Sequence, residues 1–304
     1  MAAPAATGIR VNGGPGRDAL VHVPGALVRG RIDPQVEVRP LHGGLTNRSF
    51  LVTTTAGRHV VRLGTAFDAL LAIDRTAETA AQRLAAAAGI APPVEYADTA
   101  SGLLITRYVE GHGWTAGDFA TAAQIDRLGE RLRCLHALET GAGCGLAFLD
   151  PVARAREYVA RIVPAAPGER AALERLLTDA EARLPDTGAG TREPCIVHSD
   201  LHGSNLVDGG ALWLIDWEYA ALADPLHDAA CVLAYHPQAA PHARRLFAAM
   251  DLEVGPGAVA AAVWLFRLLV FLWYRARRVA AAPSAADLAA EQGAASALVH
   301  NRNL

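Results

Sequence analysis

Two short apolar runs, residues 195–197 and 212–215, each end on a cluster of polar side chains, and this pairing narrows what the chain can fold into. The first run leads into His198-Ser199-Asp200-Leu201-His202-Gly203-Ser204-Asn205. The second leads, sixteen residues after Asp200, into Asp216-Trp217-Glu218. Runs this short and this apolar read as buried strands. A carboxylate such as Asp200 can orient an attacking hydroxyl and take its proton. Asn205 and Asp216 offer the hard oxygen ligands that suit magnesium, and phosphoryl transfer needs magnesium held against β- and γ-phosphates. Singly, an Asp or Asn in a glycine-bearing loop is a turn residue, and Asp216 alone is a helix cap. All three at these offsets, between two apolar strands, point to phosphoryl transfer. His198 reads as a structural brace for the loop and His202 as solvent-facing. A metal site on His198 and His202 would need a helix, which Gly203 opposes.

The chain upstream of Gly111 is rich in strands. Residues 36–40, 49–55 and 58–63 have strand character. His42-Gly43-Gly44-Leu45-Thr46-Asn47 forms a glycine-bearing turn between the first two, and Ala56-Gly57 a tight turn before the third. A helix over 74–88 stops at Gly89, ahead of Pro92-Pro93, and 103–109 is a further strand. After Gly111 the spacing becomes helical. Ile125, Leu128, Leu132, Leu135 and Leu138 mark one side of a helix over 118–138. Residues 153–162, 170–184, 226–235, 240–250 and 259–280 read as further helices. The expected fold is α+β with two lobes. Residues 1–30 are a loose leader, 31–111 a small antiparallel-sheet lobe with a hinge at its end, and 112–304 a larger, mainly helical lobe.

Bulk properties exclude several classes. The length of 304 residues suits two lobes around a cleft. A net charge of −3 lacks the basic excess of a nucleic-acid binder. All 28 basic residues are arginine, which with the abundant alanine and glycine reads as a compositional bias. Cys134, Cys144, Cys195 and Cys231 form no C-x-x-C pair, so free thiols in a reducing cytoplasm are expected rather than zinc. The first 30 residues lack the basic start and apolar run of a signal peptide. The most apolar stretch, 259–274, is broken by Arg267 and falls short of the ~20 residues that cross a bilayer, so a core helix is expected and no membrane span.

The H-x-D-x-x-x-x-N spacing, followed by an Asp at a strand end, is that of a kinase catalytic loop and its metal carboxylate. The segment from His198 to Tyr235 resembles the aminoglycoside phosphotransferase and choline kinase superfamily, which has a protein-kinase-like fold. Ile215-Asp216-Trp217-Glu218-Tyr219-Ala220, with Asp224-Pro225 and Asp228 behind it, is similar to the choline and ethanolamine kinase branch. So are Gly43-Gly44-Leu45-Thr46-Asn47 and Ile73-Asp74-Arg75-Thr76-Ala77-Glu78. The resemblance implies ATP and Mg2+ as cofactors, Asp200 as base, and Asn205 and Asp216 as metal ligands. It sets Gly43, Gly44 and Asn47 in a loop over the nucleotide phosphates, where glycine lets N–H groups approach closely. Arg62 stands where kinases carry a phosphate-contacting lysine, paired with Glu78, and Tyr108 and Val109 lie in a hinge that bonds adenine through its backbone. Asp228 is expected to accept bonds from the catalytic-loop backbone or to supply charge near the substrate, and Asp224 to cap a helix. His136 reads as a packing residue.

Relatives of this kind bind cationic alcohols between acidic and aromatic side chains, which brings in Glu218, Asp228 and the aromatics of 259–280. At 100° per residue Trp264 pairs with Phe271 and Phe266 with Trp273, on opposite faces, so at most one stripe faces a pocket; a helix apolar all round is normally buried, and packing of both stripes is the other reading. The expected substrate is a small hydroxyl compound, choline or ethanolamine first, with thiamine or an aminoglycoside as alternatives. A nucleotide-binding scaffold without turnover is the reading from another class.

Overall fold

A computed structural model describes residues 37–41, 46–65, 67–141, 143–162, 167–280 and 282–300. The proposed leader and Gly43 and Gly44 lie outside these described residues. In the N-terminal part, β1 (Glu37–Leu41), β2 (Arg48–Thr54) and β3 (Gly57–Leu63) are followed by helices α1 (Asp68–Leu71) and α2 (Arg75–Ala87), then by β4 (Val94–Asp98) and β5 (Leu103–Arg107). The strands make one antiparallel sheet in the order β1-β2-β3-β5-β4. Strand alternation divides it. Phe50, Val52, Val61 and Ile105 cluster on one face, while Val60, Arg62, Leu104 and Thr106 line the cleft. Asp74 caps α2 by accepting from the Thr76 and Ala77 N–H groups. The buried face of α2 is Ala77, Ala81 and Ala85, small side chains that let the helix lie close to the core.

The remainder is mostly helical. It runs β6 (His112–Gly113), α3 (Ala116–Phe119), α4 (Ala122–His136), α5 (Pro151–Arg161), α6 (Pro167–Arg183), β7 (Cys195–Val197), β8 (Leu206–Asp208), β9 (Leu212–Leu214), β10 (Ala221–Ala223), α7 (Leu226–Tyr235), α8 (Ala243–Met250), α9 (Pro256–Ala280) and α10 (Ala285–His300). The α+β, two-lobed expectation describes this architecture. The apolar stripe of α4 (Ile125, Leu128, Leu132 and Leu135) packs with Ile196, Leu206, Leu214, Val232 and Val263 in the main core. β7 pairs with β10, and β8 with both β6 and β9. These two small sheets therefore hold the loop 198–205 and the segment 215–218 side by side.

The short elements α1, β6, β8 and β10 were not anticipated, and three larger departures each have a local reason. β4 was missed because all five of its residues are half-buried and show no clean alternation; it is an edge strand. The helix expected over 118–138 is two, because the Thr115–Asp118 capping box starts α3 and the chain restarts at Thr121. α10 carries alanine on every side and so gives no periodic signal. The one described helix long and apolar enough to cross a bilayer is α9, over Pro256–Arg278. Its Val263, Leu268, Leu272 and Ala276 have no exposed surface, and α5, α7 and α10 pack against it.

The chain on either side of β6 is laid tightly on the segment 203–209. A Cβ on Gly203 would sit 2.3 Å from the Trp114 carbonyl oxygen, and one on Gly209 would sit 2.0 Å from that of Glu110. Backbone on both sides leaves no room to yield. Gly203→Ala should therefore cost about 1–3 kcal/mol through overpacking. Gly141→Ala, where nothing lies within 4 Å, should stay within about 0.5 kcal/mol. Urea unfolding of the two variants measures the contrast, and equal stabilities would contradict it.

Candidate active site

β7 and β9 deliver the two polar clusters to one cavity of about 550 Å³, within the size range of small-molecule sites. Asp200, Asn205, Asp216, Glu218 and Arg62 all line it, with Tyr108 and Val109 at the inter-lobe connection. Ser199 and Asp216 hold left-handed backbone conformations, at φ 66° and 65°. Such conformations cost non-glycine residues about 1–3 kcal/mol and persist where surrounding contacts enforce them.

Those contacts are visible. Asn205 Nδ2 donates to the Asp200 carbonyl and to its Oδ2, both at 2.9 Å. Tyr235 donates its hydroxyl to Asp200 Oδ1 at 3.3 Å. Burial and the neighbouring charge of Asp216 push the Asp200 carboxyl up to about 7, a range useful to a base working near neutral pH. The His198 ring accepts from the Asp200 N–H at Nδ1, 3.3 Å away, so its Nε2 carries the proton and donates to the Ile215 carbonyl at 3.0 Å. Burial holds this imidazole below its usual pKa. His198 thus ties the Asp200 loop to the segment bearing Asp216, as a brace should. His202 is not simply solvent-facing: it lines the cavity, its Nδ1 2.8 Å from the Ser204 hydroxyl and its Nε2 3.5 Å from Asp200.

Asp228 underlies the loop. Its carboxylate accepts from the His198 N–H at 3.0 Å, from the Ser199 N–H at 2.9 Å and from the His136 ring at 3.0 Å. His136 is therefore a hydrogen-bonding partner and not only packing. Burial opposes the charge on Asp228, but the His136 ring and the loop N–H groups outweigh it and hold the carboxyl below the usual carboxylate range. Asp224 accepts from the Leu226 N–H at 2.8 Å and pairs with Arg192.

Across the cleft, Arg62 pairs with Glu78 and reaches Asp216 Oδ1 at 3.1 Å. Glu78 is only 1% exposed, so it is no ordinary surface charge. Asn47 donates to Glu218 at 2.8 Å. Among the described residues no cluster of three His, Cys, Asp or Glu side chains forms a self-contained metal cage. Magnesium held by few protein oxygens plus substrate phosphates requires none.

Residues 37–262 match the profile described as the phosphotransferase enzyme family. The chain belongs to that family. A solved choline/ethanolamine kinase family protein from Mesorhizobium loti is 26% identical, with a TM-score of 0.69 over 88% of both chains. The choline kinase LicA from Streptococcus pneumoniae is 22% identical, with a TM-score of 0.73 over 87% of this chain and 94% of its own. A spectinomycin phosphotransferase, solved with ADP and spectinomycin, is 14% identical, with a TM-score of 0.60 over 88% of this chain and 93% of its own. Comparison with curated protein sequences gave no match. The family makes the protein a small-molecule phosphotransferase.

Within this phosphotransferase, two expected substrate contacts, Asp228 and Trp264, need correction. Asp228 is fully buried beneath the loop 198–205 and takes no part in the cavity wall. Trp264 packs into the core between α5, α6 and α9, with the Arg183 guanidinium 4.4 Å from its ring centroid. The other stripe, Phe266 and Trp273, lines the cavity. Glu218 also lines it, but its oxygens are occupied by Thr46, Asn47 and Arg75. Sequence reasoning missed Tyr235, Tyr219 and Arg75. Trp273 Nε1 donates to the Tyr219 hydroxyl at 2.6 Å. Only the aromatic content of the segment after Asp216 could have drawn attention to the two tyrosines.

Removing Asp228 would leave buried N–H donors without an acceptor. Asp228→Ala should cost about 3–5 kcal/mol at pH 7. Because the folded carboxyl is held below its unfolded value, this stability is present above about pH 4 and is lost only as pH falls through the lower, folded value. The gap between variant and wild type should therefore narrow in acid, which urea unfolding at several pH values tests. A gap constant with pH would show that the carboxylate charge contributes nothing.

Proposed function

We propose that the protein transfers the γ-phosphoryl group of ATP, with magnesium, onto a hydroxyl of a small cationic alcohol, with choline and ethanolamine first. The observation that carries this reading is the meeting of Asp200, Asn205 and Asp216 in one cavity, opposite the Arg62–Glu78 pair. The donor set fits magnesium. Asn205 spends its amide nitrogen on Asp200, and among the described residues no donor reaches its Oδ1. Asp216 shares Oδ1 with Arg62. When bound, magnesium would offset the charge on the transferred group. Arg62 would contact the phosphates bidentately, the backbone around Tyr108 and Val109 would bond adenine, and Asp200 would take the acceptor proton. LicA, which shares this fold, has been solved in complex with AMP, and this supports a nucleotide as ligand.

The aromatic wall supports a cationic acceptor. Tyr219, Tyr235, Phe266, Trp273 and Tyr274 line the cavity, and an ammonium gains about 0.5–2 kcal/mol per ring face. A second reading rests on Arg154 and His227, which line the same cavity. The His227 imidazole meets no hydrogen-bond partner among the described residues, only the Phe266 ring at 5.3 Å. An imidazole and a guanidinium suit an acceptor with polar groups of its own, as in the thiamine or aminoglycoside alternatives.

Asp200→Asn keeps the shape and removes the proton acceptor. It should lower kcat by about 10²–10⁴ while leaving nucleotide affinity unchanged by calorimetry. Near-normal turnover would remove Asp200 from the mechanism. The aromatic wall gives a separate test. Trp273→Ala should raise KM for the amine alcohol about 2- to 30-fold, the equivalent of one cation–π contact. Trp264→Ala should leave KM alone and cost about 3–5 kcal/mol of stability. A preference for an uncharged sugar over choline, ethanolamine and thiamine would sink the cation reading and leave the kinase reading standing.

A further inference from the structure

Among the described residues, the most completely bonded charge belongs to a residue with no role in the chemistry above. Arg75, the first residue of α2, is 7% exposed. Its Nη1 donates to Glu78 Oε2 at 3.0 Å and to Glu218 Oε2 at 3.2 Å. Its Nη2 donates to Asn47 Oδ1 at 2.8 Å and to Asp68 Oδ1 at 2.6 Å, and its Nε to Asp68 Oδ2 at 2.7 Å. A guanidinium has five N–H donors fixed in one plane, and these contacts call on all of them. The four partners lie on four segments: the turn between β1 and β2, α1, α2, and the segment after β9 that carries Asp216. Starting α2 does not require this, since Asp74 already caps it. Burial works against the charge, but the bonds to Asp68 and Glu78 outweigh it and hold the guanidinium above its usual pKa.

Glu218 is the opposite pole. It accepts from the Thr46 hydroxyl at 2.6 Å, from Asn47 at 2.8 Å and from Arg75, all of them on the sheet side of the cleft. Two residues before it, Asp216 takes Arg62. Arg62 and Arg75 then meet on the two oxygens of Glu78. The contacts close a circuit from Asp216 through Arg62, Glu78 and Arg75 to Glu218, and the backbone of 216–218 completes it.

We infer that Arg75 is a positioning residue that couples the nucleotide-side turn at Asn47 to the metal-side segment 216–218, holding the two in register before ligands arrive. The inference rests on the nucleotide and metal assignments proposed above. A single rigid plane bonds Asn47 and Glu218 at once, so a shift on one side of the cleft is felt on the other. Lysine cannot replace it: three donors on one nitrogen at the end of a flexible chain do not span four groups in a plane.

The test compares wild type, Arg75→Lys and Glu218→Gln by calorimetric titration with a non-hydrolysable ATP analogue, with and without magnesium. The readout is the gain in nucleotide affinity that magnesium brings. In Arg75→Lys this gain should fall at least about fivefold, the low end of ordinary coupling between sites, with metal-free affinity little changed. Glu218→Gln should show the same loss, and the double variant no more than the larger single loss, because the two act as one unit. Hydrogen exchange on the ligand-free protein adds a reading independent of metal: amides of 46–54 and of 216–220 should lose protection together in Arg75→Lys. Wild-type coupling in Arg75→Lys, or multiplying losses in the double variant, overturns the inference while leaving the kinase reading intact. A wild type that binds no nucleotide overturns both. If Arg75→Lys does not fold, Glu218→Gln alone decides: unchanged coupling there overturns the inference.

Discussion

The carboxylate of Glu78 receives one arginine on each oxygen, and the relation between the two lobes depends on that sharing. A buried ion pair gains little by itself, because desolvation consumes most of the attraction. What it imposes is geometry, since a buried charge left without its partner is heavily penalised. Both arginines extend from Glu78 across the cleft, one to Asp216 and the other to Glu218. The sheet lobe is thus fixed against the very segment that carries the proposed metal ligand, with little freedom to slide.

On the helical side a second buried carboxylate has the same function by other means. Asp228 gathers the N–H groups of His198 and Ser199 and the ring of His136, and His198 in turn bonds the Ile215 carbonyl. The strained conformations at Ser199 and Asp216 lie within this web. Two polar networks, one between the lobes and one under the loop 198–205, therefore meet at the residues flanking Asp216. The aromatic wall of α9 and Tyr219 lies to one side of them.

Much of this was legible in the sequence where the signal is local. The offsets between Asp200, Asn205 and Asp216 fit one loop and one hairpin, so spacing alone implied their meeting. The strand end at Val197, and to within one residue that at Leu214, followed from short, wholly apolar runs. The two stripes of α9 could be separated by angle, but which one faced the cavity depended on the packing of α5 and α6, which no periodicity records. Arg75 was invisible for the same reason: its partners at 47, 68 and 218 are distant in sequence, and a lone arginine at a helix start gives no sign of burial. β4 and α10 were missed because an edge strand and an alanine-rich helix lack contrast between their faces.

Arginine in place of lysine throughout the chain has a consequence for how this protein would be detected. Reagents that profile nucleotide-binding proteins often carry an acyl phosphate, which delivers its acyl group to a lysine amine beside the bound phosphates. Arg62 is the residue proposed for that place, and the bonds it makes to Glu78 and Asp216 help keep it a guanidinium cation. Such a cation is no nucleophile, and no side-chain amine lies elsewhere in the chain to accept the label. A survey by that chemistry would pass over this enzyme even with its cleft fully loaded.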